Sequence, residues 1–103
     1  MTKMSDAEIQ ASLSQLAEWS ELNGAIQRTF QFPDFVASMR FVNEVARSAE
    51  ERQHHPDILI RYNKVTLTLS THDAGGISAK DFDLARVIDE IAQGMGHPMP
   101  SGA

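Results

Sequence analysis

Asn23-Gly24 stands between two short runs of strand-forming character, Trp19 to Leu22 and Ala25 to Phe32. Both residues tolerate positive φ, which the tight two-residue turn of a β-hairpin demands, so the pair fixes where the chain doubles back. A second hairpin is legible farther on. Ile58-Leu59-Ile60-Arg61-Tyr62 is rich in β-formers, Asn63-Lys64 supplies turn residues, and Val65 to Thr71 alternates. Val65, Leu67 and Leu69 share one side of that last run; Thr66, Thr68 and Ser70 share the other, with His72 if the strand extends so far. A sheet with one dry face needs a cover.

Three helical segments supply it. Ser5 and Glu8 have capping-box spacing, and Ile9, Leu13, Leu16 and Ala17 follow at helical period, which predicts a helix over 5–17. Pro33-Asp34 opens a longer helix whose apolar stripe is Phe35, Met39, Val42, Ala46 and Ala49. It ends before His54-His55-Pro56, because proline disfavours helical geometry at the residue preceding it. Ser78 and Asp81 form another capping box, followed by the stripe Leu84, Ala85, Ile88, Ile91 and Ala92. The order α-β-β-α-β-β-α predicts an α+β fold, one four-stranded antiparallel sheet with three helices on one face. Residues 1–103 are expected to form one domain, with the Gly/Pro-rich 94–103 as a flexible tail in which His97 is a bystander.

Composition removes several function classes. The net charge of -5 disfavours direct binding to nucleic acid, which is held by basic surface. There is no cysteine, so disulfides, thiolate metal sites and cysteine nucleophiles are excluded. No apolar run approaches the roughly 20 residues needed to span a bilayer, and Met1 to Asp6 carries no apolar stretch of a secretory leader. A cytoplasmic protein without a membrane partner is expected.

The side chains able to carry chemistry are few. His54 and His55 fall at a helix-to-strand junction, and His72 falls at a strand end before Gly75-Gly76. Imidazole has its ordinary pKa near neutrality and serves as both proton donor and acceptor. The same pair before a proline also suits a helix C-terminus, whose dipole favours imidazolium. Three histidines suit zinc as well, but no established zinc spacing is present, and none is expected. On local pattern alone Asp81 reads as the acidic partner of a capping box, Glu50 as a solvated charge, and Trp19 as a core or interface aromatic.

Taken together, Glu50-Glu51-Arg52-Gln53-His54-His55-Pro56-Asp57, Tyr62-Asn63-Lys64-Val65, Leu69-Ser70-Thr71-His72-Asp73 and Gly76-Ile77-Ser78-Ala79-Lys80-Asp81 closely resemble the pterin-4a-carbinolamine dehydratase family. The family pattern sets an acidic residue four before a His-His-Pro, then an aromatic, a histidine and an aspartate at fixed gaps. Glu50, His54, His55, Pro56, Tyr62, His72 and Asp81 meet every element. The likeness runs from about Trp19 to Ala92.

The resemblance implies a hydro-lyase that removes water from 4a-hydroxytetrahydropterin, giving the quinonoid dihydropterin that is recycled to tetrahydrobiopterin. It implies a pterin substrate, no cofactor, no metal, and a functional link to an aromatic amino-acid hydroxylase. His54 and His72 would form the acid/base pair, and His55, the third histidine of the catalytic set, would bind and orient the pterin or protonate one stereoisomer. Glu50 and Asp81 would hold the hydrogen bonds of the site, Ser70 and Thr71 would border the ring, Lys80 would contribute charge, and Trp19 would flank the pterin. Lys80 stands where relatives often carry arginine, losing the planar fork. Gln53 stands where an acid is frequent, and Ala74 where some relatives have cysteine. The family also implies a homodimer or homotetramer. The rival reading is a non-enzymatic dimerisation, assembly or transcriptional-cofactor module of the same fold; retention of all three histidines favours the enzyme.

Overall fold

The computed structural model describes residues 2–95, so His97 and the tail beyond Met95 lie outside the described residues. The first helix, α1 (Asp6–Leu13), is opened by the expected capping box: Ser5 N–H donates to Glu8 Oε1 at 2.8 Å and Glu8 N–H to Ser5 Oγ at 3.2 Å. The Ser5 backbone bond holds the Glu8 carboxyl below its ordinary pKa. The helix is shorter than 5–17. Past Leu13 the hydrogen bonds tighten to three-residue spacing, Gln15 N–H to Ser12 O and Leu16 N–H to Leu13 O, and the chain turns into the sheet.

Strands β1 (Ser20–Leu22) and β2 (Ala25–Gln31) flank the Asn23-Gly24 turn, whose φ values are 51° and 78°. The second hairpin joins β3 (Asp57–Arg61) to β4 (Lys64–Leu69). Its turn is Tyr62-Asn63, one residue earlier than expected from Asn63-Lys64. Register decides this: Arg61 pairs with Lys64, so Lys64 belongs to the strand. Tyr62 takes the left-handed conformation, φ 52°, and Asn63 ties the turn to the end of β2: its side-chain N–H₂ donates to Phe32 O, and its backbone carbonyl accepts from Phe32 N–H. The two hairpins unite antiparallel as β1-β2-β4-β3, with Ile26 opposite Leu69 and Gln31 opposite Lys64. Strand β4 stops at Leu69, so His72 does not continue its polar row; it begins a 3₁₀ turn, His72–Ala74.

The long helix α2 (Phe35–Arg52) starts where Asp34 accepts from Ala37 N–H at 2.8 Å. Its buried face is Ala37, Ser38, Phe41, Val42, Val45 and Ala49; Val42 and Ala49 belong to the expected stripe, but Phe35 and Ala46 are exposed and Met39 is only half-buried. The sequence carries apolar residues on two adjacent stripes, and only one can meet the sheet. Phe41 fills that position, with ring centroids 4.8 Å from Phe30 and 4.9 Å from Phe32. Helix α3 (Ala79–Gly94) buries Phe82, Leu84, Ala85, Ile88 and Ala92 against α2 and the sheet. The inward rows Ile26/Phe30 and Val65/Leu67/Leu69 join them in one cluster. The opposite face is polar, with Thr29 to Thr66 hydroxyls 2.8 Å apart and Gln27 donating to Thr68 at 3.0 Å.

One inward position is charged. Arg28 lies between Ile26 and Phe30 on the core side of β2, its guanidinium 4.2 Å over the Phe30 ring and 2.9 Å from Asp89 Oδ1. Trp19 donates its indole N–H to the same oxygen at 3.0 Å and meets Phe30 edge-on. Burial raises the Asp89 carboxyl above its ordinary pKa, outweighing the bonds from Trp19 and Arg28. A carboxyl that binds its proton more readily folded than unfolded lends stability at low pH, and that share is lost as pH rises through the folded value. The melting temperature of the wild type, relative to Asp89→Asn, is therefore expected to fall as pH rises from about 3.8, the ordinary aspartate value. Parallel thermal melts across that range test it; a wild-type advantage that grows with pH would show that the ion pair dominates instead.

Candidate functional site

The His54 backbone is set by the way α2 ends. Gln53 adopts the left-handed conformation, φ 53° and ψ 41°, its N–H bonding Glu50 O, while His54 N–H reaches back to Ala49 O at 3.1 Å. This is a Schellman closure with glutamine where glycine is the common choice. It turns the chain sharply, so that His54 lies against the start of α3 while His55 points to solvent.

Asp81, on the first turn of α3, is completely buried and serves two structures at once. Its Oδ2 accepts from Ser78 N–H at 2.9 Å, closing the capping box, and from Thr71 Oγ1 at 2.9 Å. Its Oδ1 lies 2.5 Å from His54 Nε2. As a carboxylate Asp81 only accepts, so Nε2 carries the shared hydrogen, and neutral His54 keeps its lone pair on Nδ1. Because the Thr71 hydroxyl spends its hydrogen on Asp81, Ser78 Oγ donates across the 2.6 Å contact between them. A buried carboxylate with three donors is satisfied; one left bare would be costly.

Thr71 is fixed from the other side as well. Its N–H bonds Gly76 O at 2.8 Å, and Gly76 N–H returns to Thr71 O, closing a loop that carries the 3₁₀ turn. Gly75, with φ 76°, ends that turn and bonds His72 O, a conformation that favours glycine. His72 thereby sits exposed at the loop tip. A cavity of about 240 Å³ lies between the two segments, lined by Gln53, His54, His55, Ser70, Thr71, His72, Asp73 and Lys80.

The fold thus gathers His54, His55, His72, Ser70, Thr71 and Lys80 around one hollow from residues far apart in sequence. Asp81 stands behind His54, and Glu50 reaches the site through His55, whose Nε2 meets the Glu50 carboxylate in an exposed contact. Trp19 is elsewhere: it is buried in the core beside Asp89 and lines neither this cavity nor its neighbours. Two lining residues escaped the sequence reading as site residues, Gln53 and Asp73. Each adjoins a singled-out histidine, and Gln53 also stands where relatives often carry an acid. Among the described residues no group of three or more His, Asp or Glu side chains is placed to hold a metal ion. Nor, among them, is any helix long and apolar enough to cross a membrane.

Residues 2–91 match the family model described as pterin 4 alpha carbinolamine dehydratase. A Picosynechococcus protein assigned as a pterin-4-alpha-carbinolamine dehydratase is 53% identical over 90 residues, covering 87% of this chain and 98% of that protein. A Roseiflexus protein with the same assignment is 54% identical, covering 87% and 97%. The crystal structure of a transcriptional coactivator/pterin dehydratase from Brucella melitensis superposes with a TM-score of 0.85 at 33% identity, covering 88% and 99% of the two chains. A pterin dehydratase-like RuBisCO assembly factor of the alpha-carboxysome shares the fold, with a TM-score of 0.61 at 20% identity over 72% of this chain and 86% of that one. With half its residues shared with such relatives over most of its length, the chain belongs to the pterin-4a-carbinolamine dehydratase family of hydro-lyases.

Proposed function

We propose that this protein dehydrates 4a-hydroxytetrahydropterin, with His54 and His72 as the proton-transfer pair. The observation that carries the reading is the convergence of His54, His55 and His72 on one cavity from two separate segments. In the reaction the bond between carbon 4a and the hydroxyl oxygen breaks, and the oxygen leaves as water after receiving a proton. The nitrogen 5 lone pair forms the new double bond to carbon 4a, and the proton on nitrogen 5 is lost. One imidazole gives a proton and one takes a proton, so the pair ends with its total unchanged. The ring nitrogen supplies the electrons, and the chemistry asks for no cofactor.

His54 suits a precise task because Asp81 fixes its ring and its tautomer. His72 approaches from the loop closed by Gly75. His55, held by Glu50, binds and orients the pterin, with Ser70, Thr71 and Lys80 bordering it. The quinonoid product returns to tetrahydrobiopterin by reduction, which ties the protein to an aromatic amino-acid hydroxylase. Stopped-flow absorbance of 4a-hydroxytetrahydropterin with purified protein tests the assignment. Saturable acceleration over the spontaneous loss of water is expected; a rate equal to buffer alone would reject it.

The chain acts as one domain within a homo-oligomer. Strand β3 is a sheet edge, and its Leu59 and the Tyr62 of the turn that follows are 57% and 65% exposed. Phe35 and Val36 at the start of α2 are also exposed. An open edge flanked by apolar side chains is a surface that proteins cover. Light scattering at micromolar concentration is expected to report a dimer or tetramer of the 11.4 kDa chain. A monomer alone would contradict this.

A further inference from the structure

The histidine cavity has a neighbour. His54 and Lys80 also line a second hollow of about 220 Å³, completed by Arg52 and Asp83. Arg52 is the last residue of α2, and Lys80 and Asp83 lie three apart on α3, on one side of the helix. Proton transfer at the pterin uses neither Arg52 nor Asp83.

The charges of this hollow run against those of the chain as a whole. The protein carries a net charge of -5, yet the hollow brings two cations together. Its one exposed carboxylate, Asp83, is bonded to Arg86 at 3.1 Å, and His54 is bonded to the buried Asp81. Arg52 and Lys80 have no ion pair among those formed by the described residues.

The chemistry of the ring then sets what enters. Nitrogen 5 is bonded directly to carbon 6, the carbon that bears the pterin's side chain. A ring presenting carbon 4a and nitrogen 5 to His54 must therefore project its 6-substituent from beside His54, which is where the two hollows meet.

From this, and resting on the dehydratase reading, we infer that the hollow between Arg52, Lys80 and Asp83 is a subsite for the pterin's 6-substituent, and that its cations select substituents bearing an anionic oxygen group such as a phosphate ester. Arg52 offers a planar fork of donors and Lys80 a compact charge, the two side chains best suited to phosphate oxygens. Asp83 opposes the same group and limits the gain. Both cations are exposed, so each contributes modestly and is screened by salt.

The test compares a matched pair of fluorescent ligands, 6-hydroxymethylpterin and its phosphate monoester, by fluorescence titration. The quantity read is the ratio of the two dissociation constants, which partial misfolding of a variant does not alter. In the wild type at low salt the ester is expected to bind about three- to tenfold more tightly, and the advantage should shrink in high salt. Arg52→Gln and Lys80→Gln should each lower the ratio, Arg52→Glu should bring it below one, and Asp83→Asn should raise it. Equal affinities in the wild type, or a ratio unmoved by all four substitutions, would overturn the subsite while leaving the dehydratase reading intact. Binding of 6-hydroxymethylpterin without binding of the ester would likewise overturn the subsite, whereas the dehydratase reading stands or falls on the stopped-flow assay.

Discussion

His72→Ala is expected to slow dehydration about 10²–10⁴-fold, the usual size of a lost acid or base, with no matching loss of stability. His72 is exposed at the tip of a loop whose closure depends on backbone bonds between Thr71 and Gly76, not on the imidazole. Removing the ring leaves that scaffold standing, so the rate reports chemistry. His54→Ala should cost a similar factor in rate and also lower the melting temperature, because it strips the buried Asp81 of one of its three donors. Added imidazole should restore part of the lost rate in His72→Ala, where the vacated position is open to solvent. Initial rates and thermal melts on the same preparations measure both effects. Turnover near the wild-type level in both variants would remove the histidine pair from the mechanism.

Much of this architecture was legible in local chemistry. Asn23-Gly24 marks the first hairpin because two positive φ values are needed and these two residues accept them, and Ser5/Glu8 and Ser78/Asp81 mark two helix starts by reciprocal capping. Where local signals compete, register and packing decide. Asn63-Lys64 has turn chemistry, but pairing Arg61 with Lys64 places the turn on Tyr62-Asn63, at an aromatic residue with φ 52°. In α2 the alternative stripes through Phe35 and Phe41 differ by a rotation that periodicity cannot choose. The choice is made by Phe30 and Phe32, buried in the same core, whose rings meet Phe41 in tilted contacts. Arg28 sits in an inward row that alternation alone reserves for apolar residues; its partner Asp89 is sixty-one residues away and carries no local motif.

The site divides in the same way. Spacing brought out the histidines, and the fold sets them around a common cavity. It did not reveal that Gln53 would take a left-handed conformation to turn His54 toward α3, because glycine is the residue that announces such a closure. Nor did it separate the two readings of Asp81. The geometry makes them one, since the oxygen that caps α3 and the oxygen that meets His54 belong to the same carboxylate.

Asp81→Asn tests that double role. An asparagine in this place has one acceptor and one amide N–H₂ where the carboxylate has two acceptors. If the amide faced Ser78 N–H and the Thr71 hydroxyl, it would set donor against donor, so its carbonyl should take that side. The N–H₂ then faces His54 Nε2, which must accept instead of donate, and the hydrogen moves to Nδ1. The ring remains in place with its free lone pair removed from the atom that held it. Turnover is expected to fall about 10²–10⁴-fold, while stability falls by about 1 kcal/mol or less, since the cap survives. Asp81→Ala should do more to the fold, because three buried or part-buried donors lose their acceptor at once, each costing about 1–3 kcal/mol. Ser78→Ala supplies the contrast. It removes the hydroxyl that accepts from Lys80 N–H and reaches Thr71, at about 0.5–2 kcal/mol, but leaves the Ser78 N–H and the Thr71 hydroxyl on Asp81. That variant should melt earlier and lose far less rate than Asp81→Asn when both are assayed below their transitions. If Asp81→Asn melts earlier yet turns over like the wild type, the carboxylate is a helix cap alone and His54 draws no catalytic advantage from it.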